Sequence, residues 1–293
     1  MGCINEINGH TKLTGLLGSP VAHSKSPLMH NEAFKELGLN YVYLCFDVPE
    51  NNLKIAYEGL KKLNVAGFNC TMPDKTLICE LVDELSPAAS MIGAVNTVVN
   101  KDGRFIGHNT DGIGYMQSVK DAGFDIIGDT MTLLGAGGAA SSIFVQAALD
   151  GVKNINVFSI KDRFWEKAEK IVDAVNSKTD CNAKLIELGN DDVLGESIEK
   201  SQILTNATSV GMAPNVDSCI IPDKKMLRED LIVSDVIYNP METKLLRMAK
   251  EQGCQTFNGL YMLLYQGAEA FKIWTGKDMP IEHMKEVLNI KYE

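Results

Sequence analysis

Three groups of residues in this sequence have the types and spacing that chemistry needs. Lys75 ends the run Asn69-Cys70-Thr71-Met72-Pro73-Asp74-Lys75, and Asp111 lies in Asn109-Thr110-Asp111-Gly112. An amine and a carboxylate are the ingredients of proton transfer. Each also has a plainer reading. A lysine in the first turn of a helix is ordinarily a solvated charge, and Asp-Gly is ordinarily a turn. The second group is Ser24-Lys25-Ser26. Residues two apart in an extended segment face the same way. Both hydroxyls can therefore reach one carboxylate, beside the helix N-terminus that Pro27 opens. The plainer reading is a helix cap, with Ser26 as N-cap and Pro27 at the first helical position. His23, next to them, reads as a structural or surface histidine.

The third group is the glycine cluster Gly135-Ala136-Gly137-Gly138-Ala139-Ala140, which fits G-x-G-x-x-A. Gly135 allows a tight turn, Gly137 lets backbone approach a pyrophosphate, and Ala140 lets helix and strand pack closely. An apolar run precedes it and a helical pattern follows, the context that a dinucleotide site requires. About 20 residues on, Asp162 stands where a carboxylate would accept the adenosine ribose hydroxyls and disfavour a 2′-phosphate. Lys161 and Arg163 flank it and could hold that phosphate. The balance leans to NAD and leaves NADP open.

The elements that must position these groups follow from hydrophobic pattern and turn residues. Short apolar runs alternate with amphipathic stretches, which predicts an α/β protein. Strands are predicted at 12–18, 41–48 and 65–71, with helices from Ser26 to Gly38, over 53–63 and from Pro73. A hairpin is predicted across Lys101-Asp102-Gly103. Beyond Asp111, strands at 130–134, 154–160, 183–188, 201–207, 231–238 and 255–257 alternate with helices at 139–150, 164–176 and 243–252. That is the texture of a doubly wound nucleotide domain. A long helix over 260–275 lies outside its usual count and is expected to pack back on the first domain. The predicted organisation is a substrate-binding and catalytic domain at 1–111, a Rossmann dinucleotide-binding domain at 112–258, and C-terminal helices at 259–293.

Composition narrows the alternatives. The chain has 293 residues, 45% hydrophobic and 23% charged, with a formal charge of −10. Such acidity argues against nucleic acid or an anionic membrane as the main partner, since both need a basic surface. The seven cysteines are odd in number and never at C-x-x-C spacing. They read as reduced thiols of a cytoplasmic protein, with no disulfide frame and no metal site. The polar N-terminus has no apolar signal core, and Gly2 begins only a faint myristoylation pattern. No apolar run is long enough to span a bilayer. The partner is expected to be a small molecule. No motif sets the oligomeric state, and a homodimer stays open.

Taken together, these segments resemble one family. His23-Ser24-Lys25-Ser26-Pro27, Asn69-Cys70-Thr71-Met72-Pro73-Asp74-Lys75, Ile92-Gly93-Ala94-Val95-Asn96-Thr97 and Asn109-Thr110-Asp111-Gly112 are similar to motifs of the shikimate dehydrogenases. So are the glycine cluster, Asn206-Ala207-Thr208, Tyr238-Asn239-Pro240, Asn258-Gly259-Leu260 and Gln266-Gly267-Ala268, all in the family's order. The resemblance covers nearly the whole chain. It implies reversible reduction of 3-dehydroshikimate to shikimate with NAD or NADP, a step of aromatic amino-acid (chorismate) biosynthesis. Carried over, Ser24 and Ser26 would bind the substrate carboxylate. Thr71, Asn96, Asp111 and Gln266 would bind ring hydroxyls, with Tyr238 near them, and Lys75 and Asp111 would be the catalytic pair. Gly135, Ala136, Gly137, Gly138, Ala139, Asp162 and Gly259 would serve the cofactor, and no metal is implied. Two departures stand out. Ser159-Ile160-Lys161 replaces the Asn-Arg-Thr of NADP-committed members and is followed by Asp162, which is similar to the quinate/shikimate dehydrogenase branch. Cys70 replaces the commoner valine beside Thr71.

Overall fold

The computed structural model describes residues 7–290; Gly2 and Cys3 lie outside the described residues. The chain divides into two compact units, one of Met1–Thr110 with Leu264–Glu293, the other of Asp111–Leu263. Cys45, Cys70, Cys79, Cys181, Cys219 and Cys254 are free thiols.

The first unit is built on β1 (Lys12–Gly18), α1 (Ser26–Glu36), β2 (Tyr41–Asp47), α2 (Leu53–Lys62), β3 (Gly67–Cys70), β4 (Glu84–Leu85), α3 (Pro87–Ile92), β5 (Thr97–Lys101) and β6 (Arg104–His108). Its sheet runs β2-β1-β3-β5-β6-β4. β1 pairs parallel with β2 and β3, while β3–β5 and β5–β6 are antiparallel. Asp102 and Gly103 both have positive φ, 53° and 86°, the two-residue turn whose twist matches a hairpin. Leu17, Leu53, Tyr57, Phe68, Ile78, Val95, Val98 and Phe105 belong to one hydrophobic core cluster of this unit.

Two local expectations need correction, and one plainer reading falls away. Pro73 does not start a helix. Asp74 N–H turns back to the Thr71 carbonyl, and the Lys75 carbonyl accepts from Val95 N–H at 2.8 Å, so it is taken by a neighbouring segment. Only a 3-10 turn at Leu77–Glu80 follows. Ser26 is the first residue of α1, not its cap. Lys25 holds the cap position, and Ser24 Oγ accepts from Ser26 N–H at 3.2 Å. Asp111-Gly112 is not a turn but the start of a helix, α4 (Asp111–Asp121).

The second unit continues with β7 (Thr130–Leu134), α5 (Gly138–Asp150), β8 (Asn154–Ser159), α6 (Trp165–Lys178), β9 (Asn182–Glu187), α7 (Asp191–Glu199), β10 (Ile203–Asn206), β11 (Ile232–Asp235), α8 (Lys244–Glu251) and β12 (Gln255–Phe257). Its strands pair in parallel in the order β9-β8-β7-β10-β11-β12. This is the 3-2-1-4-5-6 order of a doubly wound nucleotide fold. The chain ends with α9 (Leu260–Thr275) and α10 (Ile281–Val287).

The C-terminal segment is part of the first unit's core. Gly67 has no side chain where the indole of Trp274 lies, and Trp274 Nε1 donates to the Val98 carbonyl at 2.9 Å. His30 of α1 stacks on Tyr43 with ring centroids 4.5 Å apart and lies 5.2 Å from Trp274 and 6.3 Å from Phe271. Burial in this aromatic stack pushes the His30 imidazole down to about 3, favouring the neutral ring.

Candidate active site

Parallel and antiparallel pairing bring the first unit's candidate residues to one edge of its sheet. Ser24 and Ser26 follow the carboxyl end of β1, and Thr71 and Lys75 follow that of β3. β5 runs the other way, so Asn96, just before it, comes to the same edge, with Asn69 opposite Thr97. Thr110, after the end of β6, is there too. Gly18 makes the edge compact: with φ of +155° it ends β1, and any side chain there would strike Thr71 and the Met72 carbonyl. Ser19 N–H donates to that carbonyl at 3.2 Å, and Thr71 N–H to the Leu17 carbonyl at 2.9 Å. The segment from Thr71 to Lys75 is thus fastened at both ends, to β1 through Thr71 and to Val95 through Lys75.

Behind these residues lies a buried polar network that sequence reasoning missed. Burial drives the pKa of the Tyr43 hydroxyl well above its usual range, with the Ser26 side chain near enough to oppose the shift. Tyr43 Oη donates to Asn69 Oδ1 at 2.8 Å, and Asn69 Nδ2 donates to Thr97 Oγ1 at 3.0 Å and to the Asn96 carbonyl at 3.1 Å. Asn96 Nδ2 donates to Thr110 Oγ1 at 3.0 Å, while its Oδ1 accepts from Thr110 N–H at 2.8 Å and from Thr97 Oγ1 at 3.0 Å. Asn69 and Asn96 stand in motifs already singled out, so the polar residue type was visible; its partner Tyr43 was not. A satisfied buried network fixes the rotamers of the groups it contains, so Asn96 is held rather than merely nearby.

Asp74 is different. Its side chain is fully buried, and neither carboxylate oxygen has a hydrogen-bond partner among the described residues. Burial, with Glu50 in electrostatic range, raises its pKa. Cys70 is buried beside it, and burial pushes that thiol up. A thiol so placed is inert packing, not a nucleophile.

Gln266 lies on the part of α9 that belongs to the first unit. Its neighbour Gly267 sits against Met29 of α1, where a side chain would collide with the Met29 methyl. Asp111 begins the second unit, covalently next to the Thr110 that Asn96 holds.

The second unit's parallel strands all end at one edge, and its candidate residues follow those ends. Gly135, with φ of +109°, turns the chain after β7 and lies against Ala207 and Thr208. Its N–H donates to the Phe158 carbonyl at 2.7 Å, tying the turn to the end of β8. Gly137 is the N-cap of α5 and offers no side-chain acceptor to the first turn. A side chain at Gly137 or Gly138 would point into open space. Together with Ala136 and Ala139 this is a bare helix N-terminus with room before it, and the residues present fit a pyrophosphate. Asp162 follows β8, and its Oδ1 accepts from Phe164 N–H at 2.9 Å. Tyr238 follows β11 and is 47% exposed. Gly259 follows β12, where any Cβ would run into the Val236 carbonyl. Between them Asp235, which sequence reasoning also missed, is buried and clamped. Asn206 Nδ2 donates to both its oxygens at 3.1 Å and Thr243 Oγ1 to Oδ2 at 2.8 Å. Burial still raises its pKa.

Among the described residues no cluster of three or more His, Cys, Asp or Glu side chains could hold a metal ion, and no helix is long and apolar enough to cross a membrane.

Known proteins share this arrangement. Residues 16–98 match the model of the shikimate dehydrogenase substrate binding domain, and residues 259–288 that of the shikimate 5′-dehydrogenase C-terminal domain. A shikimate dehydrogenase (NADP(+)) of Listeria monocytogenes is 55% identical over 282 residues, which cover 96% of this chain and 97% of the relative. One from Streptococcus uberis is 48% identical, with the same coverage. The solved shikimate 5-dehydrogenase of Listeria monocytogenes, in complex with shikimate and NAD, superposes with a TM-score of 0.94 at 55% identity, covering 96% of this chain and 98% of that one. Identity of this extent, over nearly the whole of both chains, settles the lineage: the chain belongs to the shikimate dehydrogenase family.

Proposed function

We propose that this protein interconverts 3-dehydroshikimate and shikimate with NAD or NADP, in the biosynthesis of chorismate and the aromatic amino acids, and that it works in the cytoplasm on small-molecule partners. The observation that carries the reading is the gathering of Ser24, Ser26, Thr71, Lys75 and Asn96 at one edge of the first unit's sheet, with Asn96 fixed by buried hydrogen bonds.

In this reading the Ser24 and Ser26 hydroxyls donate to the substrate carboxylate. Thr71, Asn96, Asp111 and Gln266 hold the ring hydroxyls, with Tyr238 beside them. Gly135 to Ala139 and the N-terminus of α5 receive the pyrophosphate, Asp162 the adenosine ribose, and Gly259 lets backbone come close. A bound nicotinamide supplies or accepts the hydride. Negative charge grows on the ketone oxygen during reduction, and Lys75 stabilises it and delivers the proton. Asp111 orients the Lys75 amine. In the reverse direction Lys75 takes the hydroxyl proton.

A steady-state assay with shikimate and quinate, each with NAD and NADP, tests the proposal. Turnover of shikimate is expected with at least one cofactor. No turnover with any pairing, in folded protein, overturns it. Lys75→Ala should lower kcat by roughly 10²–10⁴-fold and leave the shikimate KM within a few-fold, because the lost interaction belongs to the transition state. An unchanged kcat would refute the role given to Lys75.

A further inference from the structure

The segment after β8 carries two cations and one acid, Lys161, Asp162 and Arg163. It lies beside the glycine turn, since Gly135 N–H bonds to the Phe158 carbonyl near the end of β8. A dinucleotide with its pyrophosphate on α5 therefore brings its adenosine ribose to this segment. Either cation could hold a 2′-phosphate, against the repulsion of Asp162. The side chains are arranged otherwise. Lys161 Nζ is 2.9 Å from Glu187 Oε2, and it also lies 5.5 Å from the centre of the Trp165 ring. Glu187 is the last residue of β9 and pairs in register with Ser159, the last residue of β8. The parallel ladder thus sets the Glu187 carboxylate beside the very loop that must choose the cofactor. Arg163 is drawn over the Phe164 ring at 4.8 Å, and Asp162 is steadied by Phe164 N–H.

We propose that Glu187 is a specificity-determining positioning residue: it holds the Lys161 ammonium against β9, away from a 2′-phosphate, and so biases the protein toward NAD. This rests on the dinucleotide site of the preceding section and adds to it a residue on a neighbouring strand that touches no part of the ligand. Pairing takes a flexible cation out of reach of the phosphate. Both groups of the ion pair are more than half exposed, so the pair is weak and breakable. Its influence is accordingly a graded preference and not an absolute block, in keeping with a family whose members bind either dinucleotide.

The test is direct binding, read by enhancement of nicotinamide fluorescence as substrate-free protein is titrated with NADH and NADPH. The proteins are wild type, Glu187→Gln, Lys161→Gln and the double variant. Glu187→Gln should tighten NADPH by roughly threefold to fivefold and change NADH by less than twofold. Lys161→Gln in the double variant should abolish that gain. A ratio of NADPH to NADH affinity that Glu187→Gln leaves within twofold of wild type overturns the proposal. A gain that survives in the double variant also overturns it, since Glu187 would then not act through Lys161. Wild-type protein that binds neither dinucleotide overturns the underlying site instead, so the two failures are distinguishable. Ratios of kcat/KM for the two cofactors with shikimate should follow the binding ratios.

Discussion

Adjacent residues 74 and 75 sit in one turn and carry opposite charges, yet the fold treats them differently. Lys75 is fastened through its carbonyl to Val95, while the Asp74 carboxyl is enclosed without a hydrogen-bond partner among the described residues. An ionised group so placed costs stability, and the fold accepts the neutral acid better. The folded-state pKa is raised above the unfolded value near 3.9. The folded state thus binds the proton more tightly. The penalty is absent below the unfolded pKa, grows as pH rises toward the raised folded pKa, and stays in full at neutrality. Asp74→Asn keeps the shape and removes the charge. It should raise the melting temperature at pH 7, through a gain on the order of 1 kcal/mol, and give no advantage near pH 3. Equal melting temperatures at pH 7 would show that the carboxylate is solvated after all.

At the scale of the element, what could be read from sequence was whatever local pattern decides. The strand at Thr130–Leu134 and the helix from Gly138 stand out because a short, β-prone and largely apolar run ending in a glycine turn is what a buried strand feeding a helix requires. The hairpin at Asp102-Gly103 stands out because its two turn residues prefer positive φ. Short elements such as β4, α3 and α7 did not show, because helices or strands this short are held by their neighbours rather than by their own propensity. The network of Tyr43, Asn69 and Thr97 was invisible for a related reason: its partners lie 26 and 28 residues apart, and nothing local marks a tyrosine or asparagine as buried. Asp111-Gly112 shows the limit well. The pair suggests a turn, but Gly112 is there because α4 passes so close to α5 that a Cβ would meet the Ser142 carbonyl and Gln146. Gly112→Ala should therefore destabilise the protein by about 1–3 kcal/mol, although alanine favours helices over glycine. A melting temperature that rises instead would mean that helix propensity outweighs the contact.

For the molecule as a whole, stability against acid is set by buried groups whose signs differ. Burial raises the pKa of Asp74, Asp235 and Glu269, each of which favours the folded state as pH falls. It lowers the pKa of His30 and His108, which do the reverse. His30 dominates the second set, because its ring is enclosed by Tyr43, Phe271 and Trp274 and its pKa falls to about 3. In the unfolded chain the same imidazole titrates near 6.5. Above that pH both states are neutral and the contribution is complete. Below it the unfolded chain gains a proton that the folded chain refuses until about pH 3, so stability falls at about 1.4 kcal/mol per pH unit. The opposing carboxyl groups prevent this slope from being read off the wild type alone, but a comparison with His30→Phe isolates it, since phenylalanine keeps the stack and cannot titrate. Urea midpoints measured between pH 7.5 and 5 should diverge in favour of the variant, by roughly 2 kcal/mol at pH 5. Parallel curves would mean that the imidazole gains its proton inside the fold, and that the aromatic stack admits a charge or the water to carry one.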